Sequence, residues 1–159
     1  NIIANDKNRT FNLNFHHPVL ELIFLVQNKD VKNISNDKGN DWFNYSKTIS
    51  LPFKNPIKSA KILLNGQDRT PELTDKELRF YNILEKHTAI PNNYIYVYSF
   101  SLKPEEEQPT GSCNFSRFDN KQIELEFEDN INHSDFRIYA VNYNVLRISK
   151  GICGLAYIN

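Results

Sequence analysis

Four histidines, His16, His17, His87 and His133, and a run of three glutamates, Glu105 to Glu107, are the residues of this chain best suited to metal binding or acid-base chemistry. A metal site inside a β-barrel needs ligands that alternate along a strand, because adjacent side chains point to opposite faces. His16 and His17 are adjacent, so they cannot both look into one interior, and no metal site is expected. The glutamates are consecutive and bracketed by Pro104 and Pro109, which suits a solvated acidic knob rather than two carboxylates held across a cleft. No catalytic residue is assigned on that pattern. The sequence contains neither a GxxxxGK[ST] nor a GxGxxG phosphate loop, and no cofactor is expected. Cys113 and Cys153 are too few for a disulfide framework or a four-ligand zinc site. Tyr94, Tyr96 and Tyr98 allow two readings, the sugar-stacking platform of a lectin-like domain or a core stripe whose hydroxyls reach the rim.

The elements that would position these residues are mostly strands. In QIELEFE, Ile123, Leu125 and Phe127 alternate with Glu124, Glu126 and Glu128, the pattern of a strand with one buried face. YIYVYSFSL is apolar on both faces at one end, which predicts a central strand. VLELIFLV, residues 19–26, is interrupted only by Glu21, and SAKILLN runs into Asn65-Gly66, a strong turn signal. Residues 136–148 alternate over more than a usual strand length, so a bend near Asn142 to Asn144, or a division into two strands, is expected. One short helix is predicted from Thr74, where TDKE offers a capping box and Leu78, Tyr81 and Leu84 follow at helical spacing. Many strands with long polar connections and one helix in a loop indicate an all-β fold, an antiparallel two-sheet sandwich of Greek-key or jelly-roll type.

Composition narrows the function classes. A chain of 159 residues suits one domain with its own core. Lys plus Arg equals Asp plus Glu at 19 each, so there is no net positive field of the kind that nucleic-acid and anionic-membrane binders carry. No apolar run approaches the ~20 residues of a membrane span, and the N-terminus lacks a signal-peptide layout. The sequence has no methionine at all, so the chain is expected to be a piece of a longer polypeptide. Five N-x-[ST] sequons, at Asn8, Asn33, Asn44, Asn114 and Asn132, are candidate glycosylation acceptors, against about two expected by chance.

Residues 96–120 read YVYSFSLKPEEEQPTGSCNFSRFDN. The two prolines remove ladder donors and end the preceding strand, and Gly111 permits a reversal closed to other residues. If NFSRFD is extended, Phe115, Arg117 and Asp119 share one face, with Phe115 as anchor and the other two approaching an ion pair. The whole stretch closely resembles the signature YSFxLxPEExQPxGxxNFSRxD of the major capsid proteins of nucleocytoplasmic large DNA viruses. HPVLELIFLVQ, DWFNYS, SAKILLNGQDR, the segment ending HTAIP, and RIYAVNYNVLRISKGICGLAYIN resemble further blocks in that family's order. Cys153 stands where the family often has a second Gly.

The resemblance implies that residues 1–159 are the C-terminal jelly-roll domain of a double jelly-roll subunit whose N-terminal jelly roll is absent from this chain. It further implies a structural protein, not an enzyme, that forms a homotrimeric, pseudo-hexagonal capsomer and tiles an icosahedral virion shell. Its partners would be neighbouring capsomers, minor capsid proteins and penton proteins, with no direct nucleic-acid contact, and assembly would take place in the host cytoplasm. Pro109, Gly111, Asn114, Phe115, Ser116, Arg117 and Asp119 are the candidate assembly or packing motif. The rival readings are a carbohydrate-binding, lectin-like jelly roll and a related viral membrane scaffold.

Overall fold

The computed structural model describes residues 7–34, 40–128, 131 and 133–157. In chain order the strands are β1 (Asn8–Asn12), β2 (Pro18–Asn28), β3 (Ile57–Leu64), β4 (Gln67–Asp68), β5 (Leu73–Thr74), β6 (Ile95–Ser99), β7 (Cys113–Asn114), β8 (Lys121–Phe127), β9 (Ser134–Asn142), β10 (Leu146–Ser149) and β11 (Ile152–Leu155). A helical segment lies between β5 and β6, a π-helical turn over Glu77–Tyr81 running into α1 (Asn82–Lys86). Among the described residues all pairings are antiparallel, and they form two sheets and a separate hairpin. One sheet runs β1-β8-β3, with β4 and β5 also on β3. The other is built around β2, since Leu22 pairs with both Tyr98 of β6 and Ala140 of β9. The expected all-β sandwich with one short helix is what the chain forms.

The sheets meet through the residues that alternation selected. Ile123, Leu125 and Phe127 are buried in the core between the sheets, while Glu124, Glu126 and Glu128 are partly exposed. From β2 the core receives Leu22, Phe24 and Val26, and a register shift between Val19 and Glu21 brings Val19 into the same core. Glu21, Leu25 and Gln27 consequently occupy the opposite face. The Asn65-Gly66 turn joins β3 to β4 with both residues left-handed, at φ 52° and 76°, the geometry of a two-residue hairpin turn. The long alternating stretch divides as one of its two readings allowed: β9 stops at Asn142 and β10 begins at Leu146.

Two expectations change. The strand at 94–102 is shorter, at Ile95–Ser99, and it is not central: β6 pairs with β2 alone among the described strands. Its second apolar face is explained by the helical segment, which packs on it, with Val97 and Ile83 both buried outside the inter-sheet core. The helix begins as predicted, Thr74 N–H donating to Glu77 Oε2 at 2.7 Å and Glu77 N–H to Thr74 Oγ1 at 3.5 Å. Its buried residues are Leu78 and Ile83, however, while Tyr81 and Leu84 are exposed. The wider π turn rotates the register, so that a residue five positions on shares the face.

Leu125→Ala should lower the unfolding free energy by about 2–5 kcal/mol, the cost of a large-to-small change in a packed core. Glu124→Ala on the outer face should stay within about 0.5 kcal/mol. Urea denaturation of the two variants checks the facing of β8.

Candidate assembly and packing site

The segment 100–120 carries the chain from the edge of the β2 sheet across to β8, and its geometry follows from where its donors go. After β6, Thr110 closes the acidic loop: its Oγ1 accepts from Lys103 N–H at 2.9 Å, donates to Lys103 O at 3.0 Å and lies 2.6 Å from Ser101 Oγ. Pro109 is exposed on that loop. Gly111 has φ 130°, a backbone conformation that side-chain-bearing residues rarely adopt, so the reversal needs glycine for its backbone, while a Cβ there would only come into contact with Phe100 O at 3.4 Å. The chain then pairs briefly with β2, Asn114 opposite Pro18 and Cys113 opposite Val19.

Phe115 is the anchor that the sequence suggested. It is fully buried, and the Phe100 ring meets it edge to face at 5.6 Å. The segment is not extended here, which corrects the expected geometry: Phe115–Arg117 form a single 3-10 turn, capped by Asn114 Oδ1 accepting from Ser116 N–H at 3.1 Å. The physical reason is the asparagine, whose side chain competes for backbone donors and favours a turn over a ladder. Ser116 Oγ accepts from His17 N–H at 2.8 Å, and Phe115 N–H donates to His17 O at 3.0 Å. Arg117 and Asp119 are both exposed, and no ion pair joins them among the described residues. Asp119 is held through its backbone, its N–H and that of Asn120 both donating to Asn65 Oδ1 at 3.0 Å. Phe115, Gly111, Asn114 and Ser116 therefore have work inside the domain, whereas Arg117 and Asp119 present their side chains outward.

The acidic run is exposed, as a solvated knob should be, and two of its glutamates also make contacts. Glu105 accepts from Thr88 N–H at 3.0 Å and stands 3.3 Å from His87 Nδ1, while Glu106 pairs with Lys103 Nζ at 2.7 Å. On the other side of the imidazole, His87 Nε2 lies 3.1 Å from Glu21 Oε2 on β2, both atoms buried and off the line of a good hydrogen bond. Sequence reasoning missed this Glu21-His87-Glu105 chain, because no spacing links three residues brought together from a strand, a helix end and a loop. Burial pushes the Glu21 carboxyl above its ordinary value, opposed by His87 and reinforced by the Glu105 charge. Hydrogen bonding to Thr88 and the proximity of His87 hold Glu105 low.

The other candidates fall as follows. His16 and His17 have ring centroids 6.3 Å apart and His133 Nδ1 faces Asp30 at 3.2 Å. No group of three or more potential ligands is placed to hold a metal among the described residues. Tyr96 is fully buried, stacked on Phe24 at 5.6 Å, with its hydroxyl accepting from Ile57 N–H at 3.4 Å; Tyr94 and Tyr98 are half-buried against the same core. The stripe packs with the core, through Tyr96 entirely and through Tyr94 and Tyr98 in part. Of the sequons, Asn8, Asn33 and Asn114 are exposed. Asn44 is buried, its Oδ1 accepting from Ser46 N–H and Oγ, so a glycan there would break the turn. Asn132 lies outside the described residues.

With this geometry in place, the comparisons with known proteins point one way. The family model described as large eukaryotic DNA virus major capsid protein matches residues 2–154. A major capsid protein of Phaeocystis pouchetii virus is 47% identical over 110 residues, covering 67% of this chain and 21% of the relative. One of Pyramimonas orientalis virus is 35% identical over 170 residues, covering 92% of this chain and 38% of the relative. Among solved structures, the PBCV-1 virus capsid superposes with a TM-score of 0.76 at 28% identity, over 99% of this chain and 48% of that one. The chain thus spans between a fifth and two-fifths of these two curated relatives' length.

Three variants test the site. Gly111→Ala should destabilise the domain by about 1–3 kcal/mol, the usual range for a strained backbone position, and Arg117→Ala by no more than about 0.5 kcal/mol. A carboxyl with a raised value favours the fold while protonated, and that contribution is lost as pH climbs through the raised value. Glu21→Gln removes the titration, so in thermal melts it should match the parent below pH 4.5 and exceed it by a growing margin toward neutrality.

Proposed function

Because this chain belongs to the family of large eukaryotic DNA virus major capsid proteins, we propose that it is the C-terminal jelly roll of a double jelly-roll shell subunit. The observation that carries the reading is that one family match runs through both sheets and the corner between them, residues 2–154, with the signature's Phe115 built into the core and its Gly111 making the reversal that leads there. In this reading the polypeptide carrying both jelly rolls forms a homotrimer, a pseudo-hexagonal capsomer that tiles an icosahedral virion shell after assembly in the host cytoplasm. Neighbouring capsomers, minor capsid proteins and penton proteins are its partners. The absence of net charge fits a protein that does not touch the genome directly.

The role is structural rather than catalytic. Its curated relatives are shell proteins, and the glutamates nearest to a catalytic pattern, Glu105 and Glu106, are occupied by Thr88, His87 and Lys103. Within the capsomer, the outward-facing Arg117 and Asp119 are the signature residues free to meet another subunit.

The 159-residue chain should be mainly monomeric in light scattering, and the polypeptide carrying both jelly rolls should be a stable trimer. The expectation rests on area: obligate interfaces commonly bury over ~2,000 Å², a share of which the single domain lacks. Arg117→Ala in the two-roll polypeptide should lower trimer yield without lowering the domain's stability. A two-roll polypeptide that stays monomeric, or specific glycan binding by the domain on an array, would overturn the capsomer reading. Absence from mature virions would favour a membrane scaffold.

A further inference from the structure

The strands β10 and β11 form a hairpin that belongs to neither sheet. Lys150 and Gly151 close it, both left-handed at φ 48° and 80°, as a two-residue hairpin requires. Cross-strand partners share a face, and the register pairs Leu146 with Leu155 and Ile148 with Cys153 on one face, Arg147 with Gly154 and Ser149 with Ile152 on the other. One face is therefore wholly apolar. It is also bare: Leu146, Ile148 and Leu155 are 59%, 73% and 57% exposed. An amphipathic pattern of this kind is how a strand pair marks the side that belongs against a core, and the domain's own core is elsewhere.

The hairpin is not a loose tail. At its base Asn144 Oδ1 accepts from Val145 N–H at 2.8 Å and from Tyr157 N–H at 3.1 Å, its amide donates to Tyr157 O at 3.0 Å, and Ala156 N–H donates to Val145 O at 2.7 Å. The Tyr157 ring then stacks on His17 at 5.2 Å. The arm is fixed to the domain at one end, and among the described residues nothing covers its apolar face. A lone two-stranded hairpin is marginal in water, so its form implies a cover.

We propose that the Leu146-Ile148-Cys153-Leu155 face of this hairpin docks on the other jelly roll of the same polypeptide. The inference rests on the capsomer reading for the existence of that second body. Two observations favour a covalently linked occupant. The matched PBCV-1 capsid chain is only 48% covered by this one, so a body of comparable size remains in such a polypeptide to lie beside it. The apolar face, four side chains on a hairpin, is a patch of a few hundred Å² at the scale monomers leave exposed, well short of the ~800 Å² a side that independent partners use. Linkage in one chain supplies an effective concentration of about millimolar, at which so small a patch suffices.

The test compares the 159-residue chain with the two-roll polypeptide, both held at concentrations where they are monomeric. Amides of Arg147, Ile148, Cys153 and Gly154 should exchange at least about tenfold more slowly in the two-roll polypeptide. Cys153, exposed in the single domain, should react with a thiol reagent more slowly by a similar factor, a readout that needs no substitution. Leu146→Ser with Ile148→Ser and Leu155→Ser should abolish the protection while leaving exchange in β2 and β8 unchanged. Equal exchange and labelling in the two polypeptides would overturn the proposal. So would protection that appears only on trimerisation or rises with concentration, which would assign the face to a second copy. Monomer-stage protection in a two-roll polypeptide that never trimerises would support the docking while sinking the capsomer reading.

Discussion

Aromatic rings crossing the gap between the sheets set the spacing on which the rest of this domain depends. Phe11 on β1 meets Phe136 on β9 at 4.5 Å, from opposite sheets, and Phe136 lies edge-on to Phe24 at 6.2 Å. Phe24 stacks on Tyr96, whose hydroxyl reaches the first amide of β3 in the facing sheet. Such rings combine large buried area with a preferred approach geometry, so they fix both distance and tilt. A buried phenol without a partner would be costly, and the Ile57 amide supplies one. Burial also pushes the Tyr96 phenol far above its ordinary value, so the hydroxyl keeps its proton in that contact.

The corner at Phe115 extends this seam to the edge. Its ring closes against Phe100, and from there the chain passes from β7 in one sheet to β8 in the other. Four residues of the signature serve that crossing: Gly111 for the reversal, Asn114 and Ser116 for the turn, and Phe115 for the anchor. The same corner leaves Arg117 and Asp119 exposed, so the segment's buried anchor and its outward side chains sit within five residues of each other.

The second face of the β2 sheet is covered differently. The helical segment lies on β6, Lys86 Nζ donates to Ser99 O at 2.8 Å, and His87 stands between Glu21 and Glu105. A carboxyl on the central strand, buried against an imidazole whose other nitrogen faces an exposed carboxylate, contributes less stability than an apolar residue of the same size would. Its effect is to pin the helix end and the acidic loop to one place on the sheet. Over the β10-β11 hairpin no such cover lies among the described residues, and its apolar side chains are exposed.

The sequence by itself determined the strand regions that became β2, β3, β6, β8 and β9, the buried face of β8, the Asn65-Gly66 turn, the capping box at Thr74 and the order of blocks that carries the family. Each is encoded within a few neighbouring residues, through the two-residue period of a strand, the tolerance of Asn and Gly for left-handed backbone, or side-chain oxygens competing for nearby donors. Only the tertiary structure decided that β6 lies at an edge, that the helix buries Ile83 in place of Tyr81 and Leu84, that NFSRFD turns instead of extending, and that Glu21, His87 and Glu105 meet. An apolar face looks the same in sequence whether a sheet, a helix or another polypeptide covers it. Which of these it meets depends on contacts between residues far apart in the chain, and local pattern holds no record of them.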